Sequence, residues 1–84
     1  MTYNVLFSEK AKKQLLSLEK PIQERIISAL ERIRIRPENY ISKLVGDSGY
    51  RLRVGDYRII MDLDNENLRI LVIKVGHRKN IYNN

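Results

Sequence analysis

Arg51, Arg53 and Arg58 lie close together on either side of the dipeptide Gly55-Asp56, and a second basic and titratable run, Gly76-His77-Arg78-Lys79-Asn80-Ile81-Tyr82, comes near the chain terminus. Guanidinium groups present a planar fork of donors that matches phosphate oxygens, and they need no proton transfer to stay charged. A histidine titrates near neutrality and can shuttle a proton, an arginine can stabilise the charge of a phosphorane, and a tyrosine can stack on a base or activate a hydroxyl. Taken alone, the single histidine reads as a hydrogen-bonding or surface residue. It lacks the second histidine and the carboxylate of a metal site, since Asp47, Asp56, Asp62 and Asp64 share no ligand spacing with it, and no metal or cofactor is expected.

Other chemistries drop out in turn. There is no cysteine, which removes disulfides, thiolate metal sites and cysteine nucleophiles. No phosphate-binding glycine loop, serine triad or zinc-finger pattern is present. What basic side chains can still drive without a metal is phosphodiester cleavage by the neighbouring RNA 2′-hydroxyl, a nucleophile that DNA lacks. The balance of 16 Lys and Arg against 10 Asp and Glu, a formal net charge of +6, suits a polyanionic partner.

The elements that must position these residues follow from the periodicity. Tyr3 to Phe7 reads as a short strand, and Ser8 as the N-cap of a helix carrying Ala11, Leu15 and Leu18, with Leu16 widening the apolar stripe. Pro21 opens a second helix whose stripe is Ile22, Ile26, Ala29, Leu30 and Ile33, and whose pattern ends near Arg36 before Pro37. The stretch from Glu38 to Gly49 reads as an irregular connection. Then the period changes to two: Tyr50, Leu52 and Val54 alternate with Arg51 and Arg53, Gly55-Asp56 supplies a two-residue turn, and Tyr57, Ile59, Met61 and Leu63 resume the apolar face. This register sets Arg53 opposite Arg58 and leaves Arg51, Arg53 and Arg58 on the face away from the helices. A second turn over Asp64 to Asn67 is expected to bring Arg69 opposite Asp62 as an ordinary ion pair. The last strand, from Leu68 to Val75, is apolar on both faces: Leu68, Ile70 and Val72 on one, Leu71, Ile73 and Val75 on the other. The expectation is a single α+β domain over residues 1–84. With neither a leader pattern nor a long apolar span, it should be soluble and cytoplasmic.

In order and spacing these motifs resemble the RelE/ParE toxin superfamily, and within it the RelE-like ribosome-dependent messenger-RNA endonucleases (mRNA interferases) of type II toxin–antitoxin systems. The matching pieces are the opening strand with Ser8-Glu9-Lys10-Ala11 leading into a helical hairpin, the stretch Gly49 to Arg58, and Lys74-Val75-Gly76-His77-Arg78 with Ile81-Tyr82. The resemblance implies the order β-α-α-β-β-β, an N-terminal strand and helical hairpin packed on a twisted, mostly antiparallel sheet. It implies cleavage of messenger RNA in the ribosomal A site by 2′-hydroxyl attack, a 70S-type ribosome as platform and a cognate antitoxin as partner, with no membrane involved. By resemblance Arg58, Arg78, Tyr82 and His77 are the catalytic candidates, and Arg51, Arg53, Lys43 and Lys79 the RNA-binding ones. Arginines stand at 51 and 53 where the best-known pattern has lysines, and arginine hardly deprotonates. Proton transfer therefore rests with Tyr82 or His77, and the interval from Arg78 to Tyr82 is shorter than in that pattern. The ParE branch supplies a different expectation on the same scaffold, a non-nucleolytic inhibitor of DNA gyrase. A catalytically inactive toxin-like binding protein is the third.

Overall fold

The structure, a computed structural model, describes residues 2–79. Strand β1 (Asn4–Phe7) leads into helix α1 (Glu9–Leu16) and helix α2 (Lys20–Arg32). A short 3-10 turn (Pro37–Asn39) and strands β2 (Ser42–Lys43), β3 (Tyr50–Val54), β4 (Tyr57–Asp64) and β5 (Arg69–His77) complete the order. The five strands form one sheet, β1-β5-β4-β3-β2, in which β1 runs parallel to β5 and every other pair is antiparallel. The parallel pair is possible because the two helices carry the chain across one face before it returns.

Both helices start where their sequence signals stand. The Ser8 Oγ accepts the Ala11 backbone N–H at 3.1 Å, a side-chain N-cap. The same hydroxyl donates to the Ile73 carbonyl at 3.1 Å, and the Gln14 Oε1 accepts the Val75 N–H at 2.8 Å. These two bonds from α1 satisfy β5 beyond Val72, where β1 has ended and the strand would otherwise be an open edge. Pro21 sits in the first turn of α2, which needs no donor there. The apolar stripe outlasts the helix: α2 closes at Arg32 with Ile33 as its cap, short of Arg36.

The core lies between the helices and one sheet face. Ala11, Leu15, Ile26, Leu30 and Ile33 meet Leu52, Ile59, Met61, Ile70, Val72 and Val75, all buried. Leu16 does not join them and is 61% exposed, because α1 ends at that residue and turns away.

Three local expectations are corrected. The segment after Asn39 is not wholly irregular, since Ser42 and Lys43 pair with Arg51 and Tyr50. In the second turn Leu68 takes φ +53 and belongs to the turn, so Asp64 rather than Asp62 stands opposite Arg69, and Asp62 faces Leu71. The Asp64 carboxylate holds that turn by accepting the Asn67 Nδ2–H (2.9 Å), the Asn67 N–H (3.1 Å) and the Glu66 N–H (3.2 Å). Those bonds, the Asn67 side chain first, lower its pKa. The last strand does not alternate without a break. A bulge against Ile60/Met61 leaves Ile73 as an extra residue, so Val72 pairs with Met61, Lys74 with Ile60 and Val75 with Ile59. The bulge moves Val75 onto the core face with Ile70 and Val72, and moves Lys74 off it.

Candidate nucleic-acid interface

The face of the sheet away from the helices is organised in rungs. Arg53 pairs with Arg58, which pairs in turn with Gly76; the next rung is Arg51, Ile60 and Lys74. The hairpin register expected from the sequence is therefore the one found. Its turn has Gly55 at φ +58, and Asp56 has no positive φ, as in the type II′ loop that matches strand twist. With glycine at 76, no side chain stands beside Arg58 on the β5 side. Arg58 is half-buried with its Nε shielded from solvent, whereas Arg53 is exposed. Two guanidinium groups directly opposite each other repel in a bare sheet, a cost that a bound phosphate reverses.

Arg78 follows β5 and is exposed, and its backbone N–H donates to the Asp56 carbonyl at 2.9 Å. That bond ties the segment after the last strand to the β3–β4 turn, beside the arginine pair. His77 is placed differently. It pairs with Tyr57, on the helix-facing side of the sheet, and the two rings meet edge to face with centroids 5.4 Å apart. Its Nδ1 accepts the Lys79 N–H at 3.2 Å. Lys79 itself is exposed. Lys43 pairs with Tyr50, and the register sets it on the opposite face from Arg51. Tyr82 lies outside the described residues.

A family model described as the ParE toxin of the type II toxin–antitoxin system, parDE, matches residues 5–82. A putative RelE-like toxin protein of Escherichia coli is 32% identical over 88 residues, which cover 99% of this chain and 93% of that one. The chain belongs to the RelE/ParE toxin family. Among solved structures, the archaeal RelE–RelB complex from Pyrococcus horikoshii matches at 29% identity and a TM-score of 0.76, covering 95% of this chain and 99% of that one. The toxin–antitoxin complex RelBE2 from Mycobacterium tuberculosis superposes with a TM-score of 0.85 at 23% identity, covering 93% and 100%, and shares the fold.

Within this RelE/ParE fold, three further basic residues lie near the arginine rungs in places that were not legible beforehand. Lys74 reaches the open face only because of the β5 bulge. Arg25 and Arg32 of α2 line a groove that also takes in Arg53, since β3 is itself the sheet edge beyond Arg51. The Arg25 guanidinium lies over the hairpin turn, so close that a Cβ added at Gly55 would stand 3.0 Å from its Nη2. A match of charge to position in α2 would have required knowing which edge of the sheet the helix crosses.

Proposed function

We propose that this chain is the toxin of a type II toxin–antitoxin pair and acts as a ribosome-dependent endoribonuclease, cutting messenger RNA in the A site and so stopping translation in the cytoplasm. The observation that carries this reading is the Arg53–Arg58 rung, extended by Arg51 and Lys74 and flanked by the tethered backbone of Arg78.

In this scheme the RNA 2′-hydroxyl attacks the adjacent phosphorus, and the 5′-oxygen of the next nucleotide leaves. The products are a 2′,3′-cyclic phosphate and a free 5′-hydroxyl. Arg58 and Arg78 stabilise the charge that builds on the phosphorane oxygens, and Arg51 and Arg53 hold the backbone in line. Lys74 and Lys79 add to the field that draws the strand in. The nucleophile belongs to the substrate, so the protein must supply charge and proton transfer only. Arginine is a poor base. The His77 ring packs against Tyr57 on the other face with Nδ1 engaged, which leaves Tyr82 as the first candidate for moving the proton. The ribosome fixes the message in an attack-ready geometry, so naked RNA is cut slowly.

The partner is a cognate antitoxin, as the P. horikoshii relative is a RelE–RelB complex. A chain with net charge +6 suits an acidic or amphipathic segment that folds as it covers the basic face. The description of the matching family as ParE toxins favours a second reading, inhibition of DNA gyrase by protein binding. Induced expression separates the two. The nuclease reading predicts arrested protein synthesis with new 5′-hydroxyl ends inside coding regions. Blocked replication with intact messages would establish the gyrase reading instead.

A further inference from the structure

Helix α2 and the edge of β3 border an open groove of about 650 Å³ that shares Arg53 with the arginine rung. Arg25, Ser28 and Arg32 are spaced three and four residues apart along α2, which sets them on one face of the helix, and all three line the groove. Arg25, Arg32 and Arg53 are exposed, and none of them makes an ion pair or a side-chain hydrogen bond among the described residues, where the ion pair found is Arg34–Glu31. Glu24 borders the same groove and reaches none of the three at ion-pair distance. The Arg25 guanidinium is held in place: its Nη2, Cζ and Nη1 lie 3.0, 3.6 and 3.7 Å from where a Cβ on Gly55 would stand, so the group rests on the bare turn. The β3 edge adds a backbone donor. Val54 and Tyr57 flank the two-residue turn as a hydrogen-bonded pair, so in the next pair Arg53 turns its N–H and carbonyl away from β4. β2 reaches only as far as Arg51, and the Arg53 N–H has no backbone partner among the described residues.

We propose that this groove is an anion site for the terminal phosphate of a free polyphosphate, held by Arg25, Arg32 and Arg53 with the Ser28 hydroxyl and the Arg53 N–H as neutral donors. Three guanidinium groups around one groove repel one another, and the fold sets none of the chain's 10 acidic side chains against them at ion-pair distance. A phosphate relieves that repulsion by accepting from several forks at once. Its type follows from the charge count: a terminal phosphate presents three oxygens and about two negative charges near neutral pH, whereas a backbone diester carries one. Three cations suit the former. The groove also has no aromatic ring on which a base could stack, so it recognises phosphate and not a nucleobase or a single strand. Arg53 belongs to both the groove and the Arg53–Arg58 rung. An anion in the groove therefore competes for that guanidinium and adds negative charge beside the open face, which lowers the hold on RNA there. The site stands whether or not the chain cuts RNA.

The test titrates the full chain with inorganic pyrophosphate at low salt and follows the amide signals of Arg53 and Gly55 and the methyl of Ala29 by NMR. Saturable shifts centred on these residues are expected. Replacing Arg25 and Arg32 together with alanine should raise the Kd by about tenfold or more, because charge-assisted hydrogen bonds are lost. Lys12 and Lys13, exposed on α1, supply the control: their double replacement by alanine removes the same net charge elsewhere and should leave the Kd within about twofold. If the Arg25 and Arg32 double variant melts early, Arg32→Ala alone keeps Arg25 on the turn and should raise the Kd by about threefold. Equal losses in the arginine and lysine double variants would reduce the effect to net charge and overturn the site, as would shifts confined to the Arg51–Arg58 face. An oligoribonucleotide without terminal phosphates that moved the groove signals as strongly as pyrophosphate would overturn the assignment to free polyphosphates. Saturating pyrophosphate should also weaken binding of that oligoribonucleotide to the wild type by about threefold or more, and have little effect on the arginine double variant. Unchanged binding in the wild type would overturn the coupling through Arg53.

Discussion

Replacing Arg58 with alanine is expected to slow cleavage of ribosome-bound messenger RNA by about 10² or more. The side chain stands on the open face between Arg53 and Gly76, where a phosphate can approach without meeting another side chain from β5. Charge on the non-bridging oxygens grows on the way to the phosphorane, so the interaction lost is one that strengthens in the transition state. Binding to ribosomes should weaken much less, because Arg51, Arg53 and Lys74 still face the backbone. The fold should hold, with a change of less than about 1 kcal/mol, as removal of a like-charged cross-strand neighbour offsets the lost packing of a half-buried stem. Arg58→Lys keeps the charge without the fork and should fall between the two. The readouts are single-turnover cleavage, a ribosome-binding titration and a melting curve on the same preparation. Unchanged cleavage with an intact melt would remove Arg58 from the site.

The largest stability loss is expected from Ile26→Ala. Ile26 is fully buried, on the face of α2 that meets the sheet. Truncation forfeits transfer free energy and leaves a cavity, together roughly 2 to 5 kcal/mol. In a domain of this size each kcal/mol moves the melting midpoint by about 4 to 8 °C. Its neighbour Ile27 is 45% exposed, so Ile27→Ala should stay near the surface-substitution range of about 0.5 kcal/mol. Thermal melts in which the two variants behaved alike would mean that the helix presents another face to the core.

How far the sequence carried the structure depends on how each element announces itself. The β3–β4 hairpin was fully legible, because alternation on both arms and a two-residue turn leave one register that buries the apolar set. The α1 cap and the start of α2 were legible for a similar reason: Ser8 and Pro21 each have one place where their chemistry fits. The β5 bulge was not. Leu71, Val72 and Ile73 are all apolar, so the pattern looks the same whether the strand alternates or skips, and with it were lost Val75 in the core and Lys74 on the open face. The pair Ser42–Lys43 is too short to show any period, which hid both the edge strand and the face that Lys43 takes. That Arg51, Arg53 and Arg58 share the open face was legible from alternation and turn spacing, whereas the groove beside residues 44–49 depends on how they fold over the sheet, a matter of tertiary contact at Gly49.

In the proposed reaction the substrate's own 2′-hydroxyl is the nucleophile, on a message held in the ribosomal A site. The direct test is single-turnover cleavage of two such messages, identical but for a 2′-deoxyribose at the nucleotide preceding the scissile phosphate. The all-ribose message should be cut to a 2′,3′-cyclic phosphate and a 5′-hydroxyl, and the deoxy-substituted one should stay whole at that bond. Equal cleavage of both would contradict the mechanism, and an uncut all-ribose message, with DNA supercoiling by gyrase blocked by the same preparation, would contradict the function.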